Sequence, residues 1–176
     1  MARGYDAATV RDIAAAAGLS TGAVFASFTD KADLFGQVMA VDAQAQIEAM
    51  RGAATGSGAV EARILTLLMA AGAYQLAQPQ LLRAAEGVSW SHGPSGPLGQ
   101  RPPEDAAVGL LLAALRQGAA CGELSRDADL GLIAETLWDC CLASLHRVLS
   151  AGGGLDQLGR RLERQVTLLL AGQRIL

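Results

Sequence analysis

Few side chains of this sequence could perform catalysis, and they do not cluster along the chain. The two histidines, His92 and His146, are far apart, and the cysteines, Cys121, Cys140 and Cys141, lack the spacing of a metal site. The sequence also has no H-E-x-x-H, no G-x-S-x-G and no glycine-rich phosphate loop. We therefore expect neither an enzyme nor a metal or other cofactor, and we interpret the cysteines as small apolar groups.

Phosphate binding is the other chemistry that the residue types could support, and the cations for it are few. Residues 1–50 carry three basic groups, Arg3, Arg11 and Lys31, against six acidic ones, a balance equal to the formal net charge of −3 of the whole chain. The basic footprint that is usual for nucleic-acid-binding domains is missing. For Arg11 and Lys31, a solvated surface charge is the alternative to a phosphate contact.

Between these cations, residues 9–28 predict two short helices. Thr9 can cap the first helix, and Gly18 can end it because glycine adopts a left-handed backbone without a Cβ clash. Ser20 or Thr21 can cap the second helix. Its periodic apolar side chains, which we expect to be buried, are Val24, Phe25 and Phe28.

The outer face of the second helix is unusual because its side chains are small and uncharged. Two helices joined by a short glycine-containing turn have the helix-turn-helix shape, and in its DNA-binding form the second helix lies in the major groove. That groove, about 12 Å wide, admits a helix whose leading side chains are small, as in Thr21-Gly22-Ala23. Two short helices of an ordinary alanine-rich bundle would give a similar pattern, so the spacing alone leaves both interpretations open.

The sequence around these helices resembles the DNA-binding module of the TetR-like (tetracycline-repressor) bacterial transcription regulators. The matching elements are Gly4-Tyr5, "TVRDIA", "AGLSTGAVF" and "F-T-D-K-A-D-L", within a segment that runs without a gap from Gly4 to Met39. The resemblance implies a homodimer that binds or releases a palindromic duplex DNA operator when a small molecule enters its C-terminal domain. It further implies DNA contacts from the first motif helix (Thr9, Arg11), from the leading edge of the recognition helix (Ser20, Thr21, Gly22, Ala23), over the backbone (Phe25, Ser27) and to a phosphate (Lys31).

Two departures from the family pattern bear on DNA binding. Phe25 stands where the family usually has tyrosine, which removes a hydroxyl that would bond a phosphate, and Ser27 stands where histidine is frequent. Family members also carry a helix before the Gly4-Tyr5 pair, whereas three residues precede it in this sequence. We expect either a biological chain that starts further upstream or a protein without full DNA-binding competence. Restoring a basic upstream helix is expected to tighten DNA binding.

The breaker-rich stretch "RGAATGSG" divides the chain into a predicted DNA-binding domain, 1–50, and a helical ligand-binding and dimerisation domain, 51–176. Alanine and leucine dominate the composition and strand-like alternation is weak, so we expect an all-α fold. No membrane span and no secretory signal are recognisable, which predicts a cytoplasmic location. In the second domain, helices are predicted at 59–78, 79–88, 102–122, 127–150 and 155–171, with a loop at 89–101.

A small-molecule pocket is expected in the second domain. Pockets between helices are mostly apolar with a few polar groups that fix orientation, so the effector is expected to be largely apolar. For Trp138, a plain core position is the favoured alternative. The candidate ligand contacts are the few large or polar-tipped side chains of this domain: Met69, Tyr74, Trp90, His92 and Trp138.

The last two predicted helices carry apolar stripes that suit a dimer interface. Two such helices from each chain can close a four-helix bundle about a two-fold axis. The alternative is that both stripes face the core of their own chain. The interface candidates are Leu145 and Val148 in the first helix and Leu155, Leu158, Leu162, Val166 and Leu169 in the second.

Taken together, the residues and the resemblance predict a ligand-responsive transcription regulator, most simply a repressor that a small molecule releases from its operator. The main alternative is a dimeric helical protein that binds a small molecule and no longer binds DNA. An all-helical enzyme is a distant third possibility.

Overall fold

The computed structural model of the chain describes residues 4–54, 58–92 and 102–173, and at residues 86, 89–92 and 102–105 it describes the backbone alone. All regular secondary structure in these ranges is α-helical, and no strand occurs in them. The expected all-α fold class is therefore confirmed. None of the described helices is long and apolar enough to cross a membrane.

Four helices form the N-terminal part of the chain: α1 (Gly4–Ala7), α2 (Val10–Ala16), α3 (Thr21–Phe25) and α4 (Lys31–Ala53). Thr9 caps α2: its hydroxyl accepts from the Asp12 N–H at 3.1 Å, and Asp12 Oδ2 accepts from the Thr9 N–H at 3.2 Å. This reciprocal pair satisfies two amide hydrogens at the start of the helix. The turn after α2 passes through Gly18 at a φ of 70°, as the sequence predicts. The pattern does not predict the short α1.

Five helices follow: α5 (Val60–Ala77), α6 (Pro79–His92), α7 (Pro102–Ala120), α8 (Leu130–Ser150) and α9 (Leu155–Ala171). The bounds of α9 are those that the pattern predicts. By contrast, α6 continues through residues 89–92, where the sequence predicts a loop, because no glycine or proline interrupts these four positions. The remainder of the predicted loop, residues 93–101, lies outside the described residues.

The helices group into two compact units. The first comprises Met1–Ala43 and Pro79–Arg101, and the second comprises Gln44–Gln78 and Pro102–Leu176. Within the first unit, α6 packs against α1, which ties a later segment of the chain to the N-terminal helices. Packing between helices that are distant in sequence defines these units. The division into 1–50 and 51–176, which follows a break in the chain, stays a prediction.

The core of the second unit is built by α5, α7, α8 and α9. Helices α5 and α9 approach closely at Gly72, where a Cβ atom would collide with the side chain of Leu158. Burial of apolar surface stabilises such a core by roughly 25 cal/mol per Å². The fully buried side chains include Ile64, Leu68, Leu111, Leu115, Leu137, Leu145, Leu158, Leu162 and Leu170.

Candidate nucleic-acid interface

Helices α2 and α3 pack against each other and form the predicted helix-turn-helix. The turn closes through the Leu19 N–H, which donates to the Ala14 carbonyl at 2.9 Å, as expected for a left-handed glycine cap. The Leu19 side chain itself is 54% exposed. At the start of α3, the Ser20 hydroxyl accepts from the Ala23 N–H at 3.1 Å. That bond leaves the hydroxyl hydrogen of Ser20 free to donate to another group.

The outer face of α3 is exposed. Gly22, Ala23 and Ser27 are exposed, Thr21 is half-buried, and the inward Val24 is 5% exposed. A Cβ atom on Gly22 would meet only the Ser20 Oγ, at 3.9 Å, so internal packing does not require glycine there. Packing within the described chain therefore does not explain why this residue is small.

Phe25 corrects one expectation about this helix. Phe25 is not buried as expected but 51% exposed, while Phe28 is half-buried. One helical turn separates Val24 from Phe28, and that face is the one that packs inward. Phe25 lies on the neighbouring face, which agrees with the role over the DNA backbone that the resemblance implies and not with burial.

The two residues expected to reach DNA from the first motif helix differ in their freedom to bind. Arg11 is exposed on α2, as a DNA contact requires. The Thr9 hydroxyl donates to Asp12 Oδ2 at 2.8 Å while it accepts from the Asp12 N–H. Because a hydroxyl has one hydrogen, Thr9 in this arrangement has none to offer a phosphate.

Lys31, the expected phosphate contact, points into its own unit. Its Nζ donates to the carbonyl oxygens of Tyr5 at 2.9 Å, Ala8 at 3.1 Å and Asp6 at 3.4 Å. It also lies 4.2 Å from the centre of the Tyr5 ring, which in turn lies 4.9 Å from the ring centre of Phe35. The side chain is half-buried as a result.

The predicted ligand residues do not converge on one cavity among the described side chains. Trp138 is 5% exposed, in agreement with the core alternative, and its indole Nε1 has no hydrogen-bond partner in the described part of the chain. Met69 and Tyr74 are half-buried on α5, and Met69 lies against Gly159 of α9. Trp90 and His92 belong to α6, but their side chains lie outside the described residues.

A groove of about 180 Å³ lies elsewhere in the second unit, between the end of α4, α5 and α7. Small apolar side chains form most of its walls, and it is not lined by Met69, Tyr74 or Trp138, the predicted residues whose side chains are described. Sequence reasoning misses this groove because alanines carry no distinctive signal of a site. Its lining residues are Ala53, Ala54, Arg63, Thr66, Leu67, Leu110, Ala113, Ala114 and Gln117.

The predicted dimer interface needs correction. Leu145, Leu158, Leu162 and Val166 are at most 1% exposed and Val148 is 6% exposed, so these side chains pack inside their own chain. The stripes face the core of the second unit, which is the alternative that the sequence left open. Leu155, at 41% exposure, and the half-buried Leu169 remain accessible to a second copy.

Among the described side chains, the cysteines show no arrangement that would support catalysis. Cys141 is buried, its Sγ lies 3.9 Å from the Leu68 carbonyl oxygen, and burial, with a small contribution from Cys140, raises the pKa of its thiol to about 12. Such a thiol is not a nucleophile at neutral pH. No group of His, Cys, Asp and Glu side chains within residues 4–54, 58–92 and 102–173 could hold a metal ion.

Comparison with known proteins identifies the N-terminal segment. Residues 1–38 match the family described as bacterial regulatory proteins, tetR family. No curated protein matches the chain in sequence. Among solved structures, the fold is similar to the TetR family transcriptional regulator PfmR from Thermus thermophilus, with 19% identity over 95% of this chain and 90% of that one and a TM-score of 0.70. It is also similar to the ketosteroid transcriptional regulator KstR2 of Mycobacterium tuberculosis, with 22% identity over 99% of this chain and 88% of that one and a TM-score of 0.63.

An N-terminal helix-turn-helix with an exposed second motif helix is the architecture that DNA-binding transcription regulators use. Residues 1–38 are TetR-like, as their motifs predict, and the fold of the chain is similar to those of the two regulators. The matched family and these two neighbours are described as regulators, which agrees with the expectation of a regulator rather than an enzyme.

Proposed function

We propose that the protein is a homodimeric repressor that a small molecule releases from a palindromic operator. The observation that carries the DNA-binding part is the outer face of α3. It is exposed, it carries small side chains, and its Gly22 is not required by any contact within the described chain. A helix that must enter the major groove accounts for all three properties.

The hydrogen-bond donors around this face supply the contacts. Arg11 on α2 is an exposed cation with the reach and fork geometry for a base edge or a phosphate. Ser20 keeps its hydroxyl hydrogen for a phosphate, and Ser27 is exposed beside it. Thr21, Ala23 and Phe25 supply apolar contact with bases or sugars. The protomer thus binds DNA mainly through shape and neutral donors, with few charges.

The groove of the second unit is the place we propose for the effector. Its walls are mostly apolar, which suits a largely apolar molecule, and Arg63 and Gln117 supply polar atoms. Two guanidinium nitrogens of Arg63 are bound by the Gly58 carbonyl and by Glu123 Oε1, whereas its Nε is buried without a partner in the described residues. Gln117, which lines the groove and is exposed, offers its amide to an effector with a hydrogen-bond acceptor.

Dimerisation is proposed through the outer faces of α8 and α9. Leu132 is 58% exposed and Leu168 is 76% exposed, and both lie at the end of the helix pair where the Ser125 N–H donates to the Gln173 carbonyl at 2.7 Å. Exposed leucines of this size are candidates for burial against a second copy. The accessible Leu155 and Leu169 lie on the same α9 helix.

The test of DNA binding is selection from random duplex DNA, followed by binding of the selected sequence to two variants. A Cβ atom at Gly22 meets no clash in the protomer, so we expect Gly22→Leu to leave the melting temperature unlowered and to reduce the affinity by about tenfold or more. Gly109→Leu, on an exposed position of α7 with no atom within 4 Å of its Cβ position, is the matched control and should leave affinity unchanged. Failure to enrich any palindromic sequence would favour the alternative, a dimeric ligand-binding protein that does not bind DNA.

Repression and effector release need separate measurements. A reporter placed behind the selected sequence should be expressed less when the protein is present. A thermal shift screen with apolar compounds that carry one acceptor should find stabilisers, because a ligand of the native state stabilises it by mass action. Those compounds should release the DNA, and Thr66→Leu, which would fill the groove, should abolish their effect.

A further inference from the structure

We infer that Lys31 is a positioning residue that clamps the end of α1 to the start of α4, and that it does not bind a DNA phosphate. One of the two tests below depends on the proposed DNA binding, and the other does not. It reverses the role that the family resemblance implies for this position.

The hydrogen bonds of the ammonium group are the first argument. A protonated lysine has three hydrogens, and three carbonyl oxygens surround Nζ, those of Tyr5, Asp6 and Ala8 at 2.9, 3.4 and 3.1 Å. These oxygens lie at the C-terminal end of α1 and just after it, where the Tyr5 carbonyl also accepts from the Ala8 N–H at 3.3 Å. A cation at that end both satisfies these oxygens and complements the negative end of the dipole. No hydrogen of Lys31 is left for a phosphate.

The aromatic contacts are the second argument. The centre of the Tyr5 ring lies 4.2 Å from the Lys31 ammonium and 4.9 Å from the centre of the Phe35 ring. Lys31 and Phe35 are one helical turn apart on α4, so the same face of this helix makes both contacts with the ring. Cation–π attraction and ring packing add to the hydrogen bonds. Tyr5, Lys31 and Phe35 therefore form one cluster, which we call the α1 clamp.

The α1 clamp matters for α3 because the start of α4 is also tied to the segment between the two helices. Asp33 Oδ2 accepts from the Thr29 N–H at 2.8 Å, and Asp30 Oδ1 accepts from the Asp33 N–H at 2.8 Å. The first turn of α4 is thus bound on one side to the residues after α3 and on the other to α1. Loosening Lys31 should disorder this turn and present α3 less well, without changing the number of neutralised phosphates.

The first test is amide hydrogen exchange of the free protein, which needs no DNA. Lys31→Met keeps the length of the side chain and removes the charge, and we expect the exchange of residues 5–8 and 31–35 to become several-fold faster. Arg11→Met is the matched control and should leave the exchange of both segments unchanged, because Arg11 is exposed and outside the cluster. Unchanged exchange in Lys31→Met would overturn the inference, whatever the protein does with DNA.

The second test is the salt dependence of binding to a short duplex of the selected sequence. Each neutralised phosphate contributes about 0.9 to the slope of log affinity against log salt. We expect Lys31→Met to weaken binding with no change in slope, and Arg11→Met to lower the slope by about 0.9 per protomer. Lys31→Arg should fail to restore affinity, because a planar guanidinium cannot place its donors as the compact ammonium does. A lowered slope for Lys31→Met, or full rescue by arginine, would overturn the inference.

Discussion

Glu123 shows how a single side chain fastens distant parts of the second unit. It follows α7, and its Oε2 accepts from the N–H of Val60, 63 residues earlier, at 2.6 Å. Its Oε1 accepts from Arg63 at 3.0 Å. The start of α5 has no cap from its own segment, since Ala59 precedes Val60 and has no side-chain hydrogen bond to offer. Glu123 therefore supplies the cap from outside the helix.

We expect replacement of the Glu123 carboxylate to reduce stability in a pH-dependent way. Burial by itself would raise the pKa of Glu123, but the hydrogen bonds from Val60 and Arg63 outweigh it and hold the pKa below the usual value. Stability from a lowered pKa is present above the unfolded-state pKa and is lost as the pH falls through the folded-state pKa. Glu123→Gln should therefore reduce the free energy of unfolding by about 1 kcal/mol at pH 7.

The measurement is denaturant unfolding of wild type and variant at several pH values. The difference between them should shrink as the carboxyl is protonated at acid pH. Glu163→Gln, at an exposed position of α9, is the control and should differ little from wild type at any pH. A difference that stayed constant from neutral to acid pH would show that Glu123 does not act through its charge.

At the scale of elements, short helices in the first unit depend on their ends. Helices α2 and α3 have seven and five residues, too few to be stable by themselves. The Thr9–Asp12 pair and the Ser20 hydroxyl satisfy their first amide groups, and the left-handed Gly18 reverses the chain between them. These local devices set the bounds of the candidate DNA-reading element.

Gly18→Ala should destabilise the protein by about 1 kcal/mol, because only the backbone conformation opposes a methyl group there. Its φ is 70°, and no atom lies within 4 Å of its Cβ position. Gly109→Ala is the matched control: its Cβ position is equally open, but it lies inside α7, so we expect a gain of about 0.5 to 1 kcal/mol. Thermal unfolding would measure both, and equal effects of the two substitutions would contradict this account.

For the whole molecule, the proposed dimer depends on side chains that a single chain leaves uncovered. We expect Leu168→Glu to convert the dimer to single chains that stay folded. Burying the glutamate charge in the interface costs free energy, whereas the charge is tolerated at this position when the single chain leaves it exposed to water. Thr167→Glu, at the adjacent exposed position, should keep the dimer. Leu162→Glu should instead unfold the protein, since Leu162 is fully buried within the chain.

Light scattering combined with circular dichroism would distinguish these outcomes. A mass of one chain for the unmodified protein would contradict the dimer itself. An unchanged mass for Leu168→Glu would show that the interface lies on another surface of the second unit.

Much of the local structure could be predicted from the sequence. The bounds of α9, the cap at Thr9 and the turn at Gly18 depend on residues within one or two helical turns, so their pattern is visible in the chain itself. The helix-turn-helix could be recognised for the same reason, since the whole motif is contiguous. The outer face of the second helix could be predicted as a binding surface because its small uncharged residues have no evident role in packing.

The tertiary structure alone decided which partner each group meets. Lys31 finds its carbonyl acceptors 23 to 26 residues earlier in the chain, and Glu123 finds Val60 at a separation of 63 residues. Periodicity shows that α9 has an apolar face but not which surface covers it, so Leu158 and Leu162 suited a dimer and a core equally well. The groove beside Arg63 exists because alanines from the end of α4 and from α7 meet side chains of α5 there. Such pairings arise from packing between distant segments, and no spacing along the sequence encodes them.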